Sequence, residues 1–119
     1  MEIDANRLAA EIAADADVVR SLKANGDVSS IIRNVGARFE GSETAIANLQ
    51  RHVEKTEWRV VQVVKTEDGQ IAIDIERDQT TDLQAVRELT VAALKIEMAT
   101  GAVYDGWGTI AMTNPENSN

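Results

Sequence analysis

The stretch "WRVVQVVKTEDGQIAIDIER", Trp58 to Arg77, decides how this chain must fold. Two runs, "WRVVQVVK" and "QIAIDIER", flank Asp68-Gly69, a dipeptide suited to a tight turn. In the second run Ile71, Ile73 and Ile75 alternate with Ala72, Asp74 and Glu76. A period of two places one set against a core and the other in water. The first run carries valines on both faces, so the turn has to set the register. A two-residue turn would set Gln62 opposite Ile75 and bury its amide, at a cost of about 1–3 kcal/mol. A three-residue loop, Glu67-Asp68-Gly69 with a glycine bulge, avoids this. It pairs Val61 with Ile75 and Val63 with Ile73, and is the expected register.

Outward from the hairpin, helices and strands alternate. Asp4 to Lys23 reads as a helix, with Leu8, Ile12, Val19 and Leu22 near helical spacing and Asn25-Gly26 as its stop. Ile31 to Phe39 reads as a strand in which Val35, Ala37 and Phe39 alternate with Gly36, Arg38 and Glu40. Ser42 offers an N-cap for a helix over Glu43 to Lys55, with Ile46, Leu49 and Val53 as its buried stripe. Beyond the hairpin, Thr81-x-x-Gln84 resembles a capping box. It opens a helix from Asp82 to Thr100 with Leu83, Val86, Leu89, Ala93 and Ile96 facing inward. "AVYDGWGTIAM", Ala102 to Met112, is the last strand, and "NPENSN" a polar tail.

Without the first helix the order is strand, helix, strand, strand, helix, strand. Both helices must bury an apolar face, and one side of a four-stranded antiparallel sheet accommodates them. The expected fold is α+β and ferredoxin-like (βαββαβ), with two helices on one face and an extra N-terminal helix. One domain spans residues 1–119, with the N-terminal helix over 1–25 and the polar tail over 113–119.

Composition narrows the function. Hydrophobic residues make up 44% but aromatics only 3%, so the core is aliphatic and each ring matters. With no cysteine there is no disulfide framework, thiolate metal site or cysteine nucleophile. The only histidine, His52, has polar neighbours on its helix and reads as solvated. Metal ligands are too few and acids too dispersed for a metal centre, and no P-loop or dinucleotide glycine pattern occurs. No cofactor is expected. No apolar run reaches membrane-spanning length, and the acidic N-terminus does not resemble a secretory signal, so a cytoplasmic location is expected. The formal charge of −8 opposes nucleic-acid binding and favours a basic protein partner.

The charged residues then suggest a surface. Asp74, Glu76 and Asp78 share the face of their strand that the isoleucines avoid. On simple alternation, Tyr104, Gly106, Gly108, Ile110 and Met112 face the core, while Asp105, Trp107 and Thr109 join the acids on the open face. A ring beside carboxylates suits a partner bearing Arg or Lys. The bland alternatives are a solvated face and a Trp107 packed beneath the N-terminal helix.

"YDGWGT", Tyr104 to Thr109, resembles the signature near the end of the ribonuclease E activity regulator B family. "LKANGDVSS", "HVEKTEWRVVQV" and "EDGQIAIDIE" resemble its helix end, its helix-to-strand passage and its hairpin, from about Leu22 to Thr113. The resemblance implies a ferredoxin-like, non-catalytic protein that binds the C-terminal scaffold region of ribonuclease E and so changes RNA decay. The chain departs from better-known members in ending without a long acidic tail. The candidate partner-binding residues are Asp74, Glu76, Tyr104, Asp105 and Trp107, with Gly106 and Gly108 as structural signature. A monomer or weak homodimer is expected. The competing readings are another interaction module, immunity-like, antitoxin-like or dimeric through exposed valines, and a small carboxylate enzyme. No pair of acids is placed by sequence to act as acid and base, which disfavours the enzyme.

Overall fold

The computed structural model describes residues 2–113, so the expected polar tail lies outside the described residues beyond Thr113. Three helices and four strands follow in the order α1 (Ala5–Ala24), β1 (Arg33–Gly41), α2 (Glu43–Val53), β2 (Arg59–Lys65), β3 (Ile71–Gln79), α3 (Leu83–Thr100) and β4 (Val103–Gly108). The strands form one antiparallel sheet in the order β2-β3-β1-β4. Ile46, Leu49 and Val53 of α2 join Leu89, Ala93 and Ile96 of α3 in one core with Val35, Ala37, Phe39, Ile73 and Ile75 of the sheet. Among the described residues the other face of the sheet carries no helix.

The hairpin loop is the expected Glu67-Asp68-Gly69. Thr66 N–H donates to the Gln70 carbonyl at 2.8 Å, and Gly69 takes the positive φ of +85° that closes such a loop. Val63 pairs with Ile73 as expected, but Ile75 pairs with Val60 and not with Val61. Val61 is an extra residue in a bulge. The bulge reconciles the valines: Val60 and Val63 take the helix side of an edge strand, opposite Ile75 and Ile73, while Arg59 and Gln62 lie opposite Glu76 and Asp74.

Two expectations for α3 are corrected. Its N-cap is Asp82, whose carboxylate accepts from Ala85 N–H at 3.0 Å. Thr81 is buried instead and donates to Asp27, so the capping box does not form. Leu83 is 73% exposed, and Leu94 takes a core place that the stripe did not assign. The first strand is also displaced, beginning at Arg33 where the segment from Asp27 is held by side chains. Asp27 accepts from Arg33 Nη1 at 2.7 Å, Thr81 Oγ1 at 2.8 Å and Met112 N–H at 2.8 Å. Burial alone would raise its carboxyl, but these bonds and the Arg33 charge hold it below the usual range. One carboxylate thereby ties together the end of α1, the start of β1, the turn before α3 and the segment after β4.

Helix α1 packs against α3. Its contacts are unusually polar: only Asp15 and Leu22 are buried along it. Arg7 donates to Glu97 at 2.9 Å and to the Tyr104 carbonyl at 3.0 Å, and also pairs with Glu11.

Candidate functional site

The bare face of the sheet is shaped by which residues lack side chains there. Gly36 of β1 lies opposite Gly108 of β4, next to the bulge residue Gly106. No side chain rises above the sheet at these positions, and a concavity of about 710 Å³ opens over them. Asp74, Glu76 and Asp105 line it, with Val61 and Ile110 as apolar flanks. Val61 is 54% and Ile110 80% exposed, so the rim offers greasy surface beside charge.

The carboxylates of this face are not equivalent. Asp74 accepts two hydrogen bonds from Arg38, both at 2.8 Å, and one from Gln62 at 2.7 Å. The Arg38 guanidinium is the main reason that the Asp74 carboxyl lies below its ordinary range. Glu76 shares Arg59 with Asp78, at 3.4 and 2.9 Å. Asp105 is exposed and has no cation within ion-pair distance among the described residues. The face is therefore a cross-strand ladder of paired charges with an acidic surplus, rather than the uniformly negative sheet expected from Asp74, Glu76 and Asp78 alone. Arg38 and Arg59 were overlooked as site residues. The alternation on β1 already turned Arg38 outward, but the sequence does not say that β1 lies beside β3.

Trp107 is not where alternation placed it. Gly106 has φ +94°, and Asp105 and Gly106 together oppose the single residue Arg38. This bulge advances β4 by one residue, so Tyr104 pairs with Phe39 and Trp107 with Ala37, both core-facing partners. Trp107 is thus turned to the helix side, against the core, and its Nε1–H donates to Asp15 of α1 at 2.8 Å. Asp15 also accepts from Thr90 of α3. Tyr104 is 2% exposed, with its ring centroid 5.4 Å from that of Phe39. Its hydroxyl has no hydrogen-bond partner among the described residues, and burial with the nearby Asp15 charge pushes its pKa up. Of the five expected contact residues, the structure brings Asp74, Glu76 and Asp105 together on one exposed face. It directs Tyr104 and Trp107 to the other side of β4, although Trp107 still borders the concavity.

Among the described residues no group of His, Cys, Asp and Glu could hold a metal ion, and no helix is long and apolar enough to cross a membrane. The family model described as Regulator of ribonuclease activity B matches residues 12–109. No curated protein matches the chain. The matched span runs from within α1 to just past β4 and includes the bulged strand, and the chain belongs to the regulator of ribonuclease activity B family, whose members are regulators rather than catalysts.

Proposed function

We propose that this chain modulates ribonuclease E, and so RNA decay, by protein contact alone. It docks a basic segment of the enzyme's C-terminal region on the open face of the sheet. The observation that carries this reading is the glycine-floored concavity walled by Asp74, Glu76 and Asp105. An extended segment fits such a shallow trough, its arginines or lysines meeting Asp105 and Glu76 and its apolar groups meeting Val61 and Ile110. Tyr104 and Trp107 contribute by anchoring β4 on the helix side, which leaves Asp105 facing outward between them. The strand order read from the other edge, β4-β1-β3-β2, supports a ferredoxin-like assignment of the single domain, with α1 as an addition. The family likeness and the absence of any helix able to span a membrane among the described residues fit a cytoplasmic protein.

The test is capture of the partner from a native lysate by the wild type and by Asp105→Lys with Glu76→Lys. We expect the wild type to retain ribonuclease E, with retention falling as salt rises. The double variant should lose it without losing thermal stability. Equal retention by both proteins would remove the open face as the docking surface.

A second reading is favoured by one observation. Edge strand β2 exposes Val60, Val61, Val63 and Val64, a row able to pair with another strand. This supports a weak homodimer, or an interaction module unrelated to RNA decay. Light scattering across a concentration series separates it from a monomer.

A further inference from the structure

Arg77 stands apart from the sheet's other charges. It follows Ile71, Ile73 and Ile75 on the helix side of β3, at the end of the core. Its guanidinium lies over the Trp58 ring, 4.5 Å from the centroid, and its Nε donates to Gln79 Oε1 at 2.8 Å. Stacking on one side and a hydrogen bond on the other fix its orientation. Arg33, Arg38 and Arg59 each meet a carboxylate, whereas Arg77 has none within ion-pair distance among the described residues. Burial lowers its pKa, an effect that the Glu57 and Glu88 charges only partly offset. A half-buried cation lacking a counter-ion invites one from outside.

The surroundings fit such a guest. A cleft of about 380 Å³ is lined by Arg77, by His52 of α2 and by Lys95 of α3. An adjoining cleft shares His52 and adds Arg51 and Lys55. Cationic side chains therefore collect at one end of a chain whose net charge is −8. Glu57 also borders the first cleft and repels an anion, which points to modest affinity.

We propose that this cleft is a binding site for a phosphate group. Arg77 presents the Nη donors of an oriented guanidinium, Lys95 adds a second charge, and His52 borders the third side. Donors on three elements that line one cleft suit a tetrahedral anion better than a planar carboxylate, which one guanidinium satisfies alone. The phosphate comes either from a free phosphorylated compound or from an RNA backbone. The site lies on the helix side of the sheet, opposite the open face, and stands independently of the docking proposed there.

The experiment is an NMR titration of the intact chain, following the Arg77 Nε–H and the Trp58 indole N–H at constant ionic strength held with sodium chloride. Inorganic phosphate should produce saturable shifts at both groups. Lys95→Gln and Arg77→Gln should each weaken binding about tenfold, as expected for loss of a charge-assisted contact. Lys95 is exposed, so its variant keeps the test valid if Arg77→Gln fails to fold. A short single-stranded oligoribonucleotide forms the second arm. Binding about tenfold tighter than inorganic phosphate assigns the site to an RNA phosphate, and equal or weaker binding assigns it to a free phosphorylated compound. Shifts that fail to saturate with either probe, or saturation unchanged in Lys95→Gln, would overturn the proposal.

Discussion

The indole N–H of Trp107 donates to the buried carboxylate of Asp15 at 2.8 Å, joining β4 to a helix more than ninety positions away in the chain. The bond exists because a bulge at Gly106 turns the ring toward α1. Asp15 also receives the Thr90 hydroxyl, so one carboxylate satisfies donors from β4 and α3. Since α1 buries little apolar surface, such polar contacts carry much of its attachment.

Replacing Asp15 by alanine should therefore cost about 2–3 kcal/mol, because one buried and one part-buried donor lose their acceptor. Asp15→Asn retains an amide oxygen and should recover part of that loss. Urea unfolding gives the magnitude, and hydrogen exchange at the Trp107 indole reports whether α1 has loosened. A variant as stable as wild type, with its indole still protected, would show that apolar packing alone holds α1.

The hairpin and α2 were legible because each obeys a single rule. Ile71, Ile73 and Ile75 keep period two, and Ser42 caps a helix whose stripe is buried as spaced. Trp107 was misplaced because alternation holds only while a strand stays regular, and one residue at positive φ reverses the parity of all that follows. The register of β2 failed at Val61 because a bulge interrupts that strand as well, there without a positive φ. The acids of the site could be read from the sequence. Their neutralisation by Arg38 and Arg59 could not, since it depends on strand neighbours far apart in the chain. Leu83 had the correct helical spacing, but it lies at the first turn, beyond the end of the covered surface.

The Asp27–Arg33 pair should dominate the response to acid. Both side chains are almost fully buried, so removing one partner strands the other. Asp27→Ala should cost about 3–5 kcal/mol. The folded-state pKa of Asp27 lies below its unfolded value of about 3.9, so its contribution is complete above that value. It is lost as pH falls through the lower, folded pKa. Glu97 and Asp74 are shifted in the same direction and add to the effect. Unfolding midpoints measured from pH 7 to pH 2 should drop from about pH 4 downward. The drop should be shallower in Asp27→Asn, which starts from lower stability.

Tyr104→Phe should be neutral or should stabilise the protein by up to about 1 kcal/mol. The tyrosine hydroxyl is buried without a partner, and deleting an unsatisfied group removes its desolvation cost. The ring contact with Phe39 is untouched. Thermal unfolding decides the matter, and a loss above about 1 kcal/mol would mean that the hydroxyl makes a bond through water.

The glycines around Trp107 do separate jobs, and substitution distinguishes them. Among the described residues a Cβ at Gly106 would meet nothing within 4 Å, but φ is +94°, so Gly106→Ala carries conformational strain of about 1–2 kcal/mol. At Gly108 a Cβ also meets nothing, and at Gly36 the nearest atom is 3.7 Å away, an ordinary contact. Neither has a positive φ. Gly36→Val and Gly108→Val should therefore leave stability unchanged or slightly raised, because β-branched residues suit a strand. Both side chains would rise into the concavity and occupy the space assigned to the partner. The expected outcome is wild-type unfolding with partner capture lost in each valine variant, and Gly106→Ala less stable but still able to bind once folded. Capture undiminished by both valines would mean that the partner docks elsewhere, for a trough already filled by side chains cannot hold a chain.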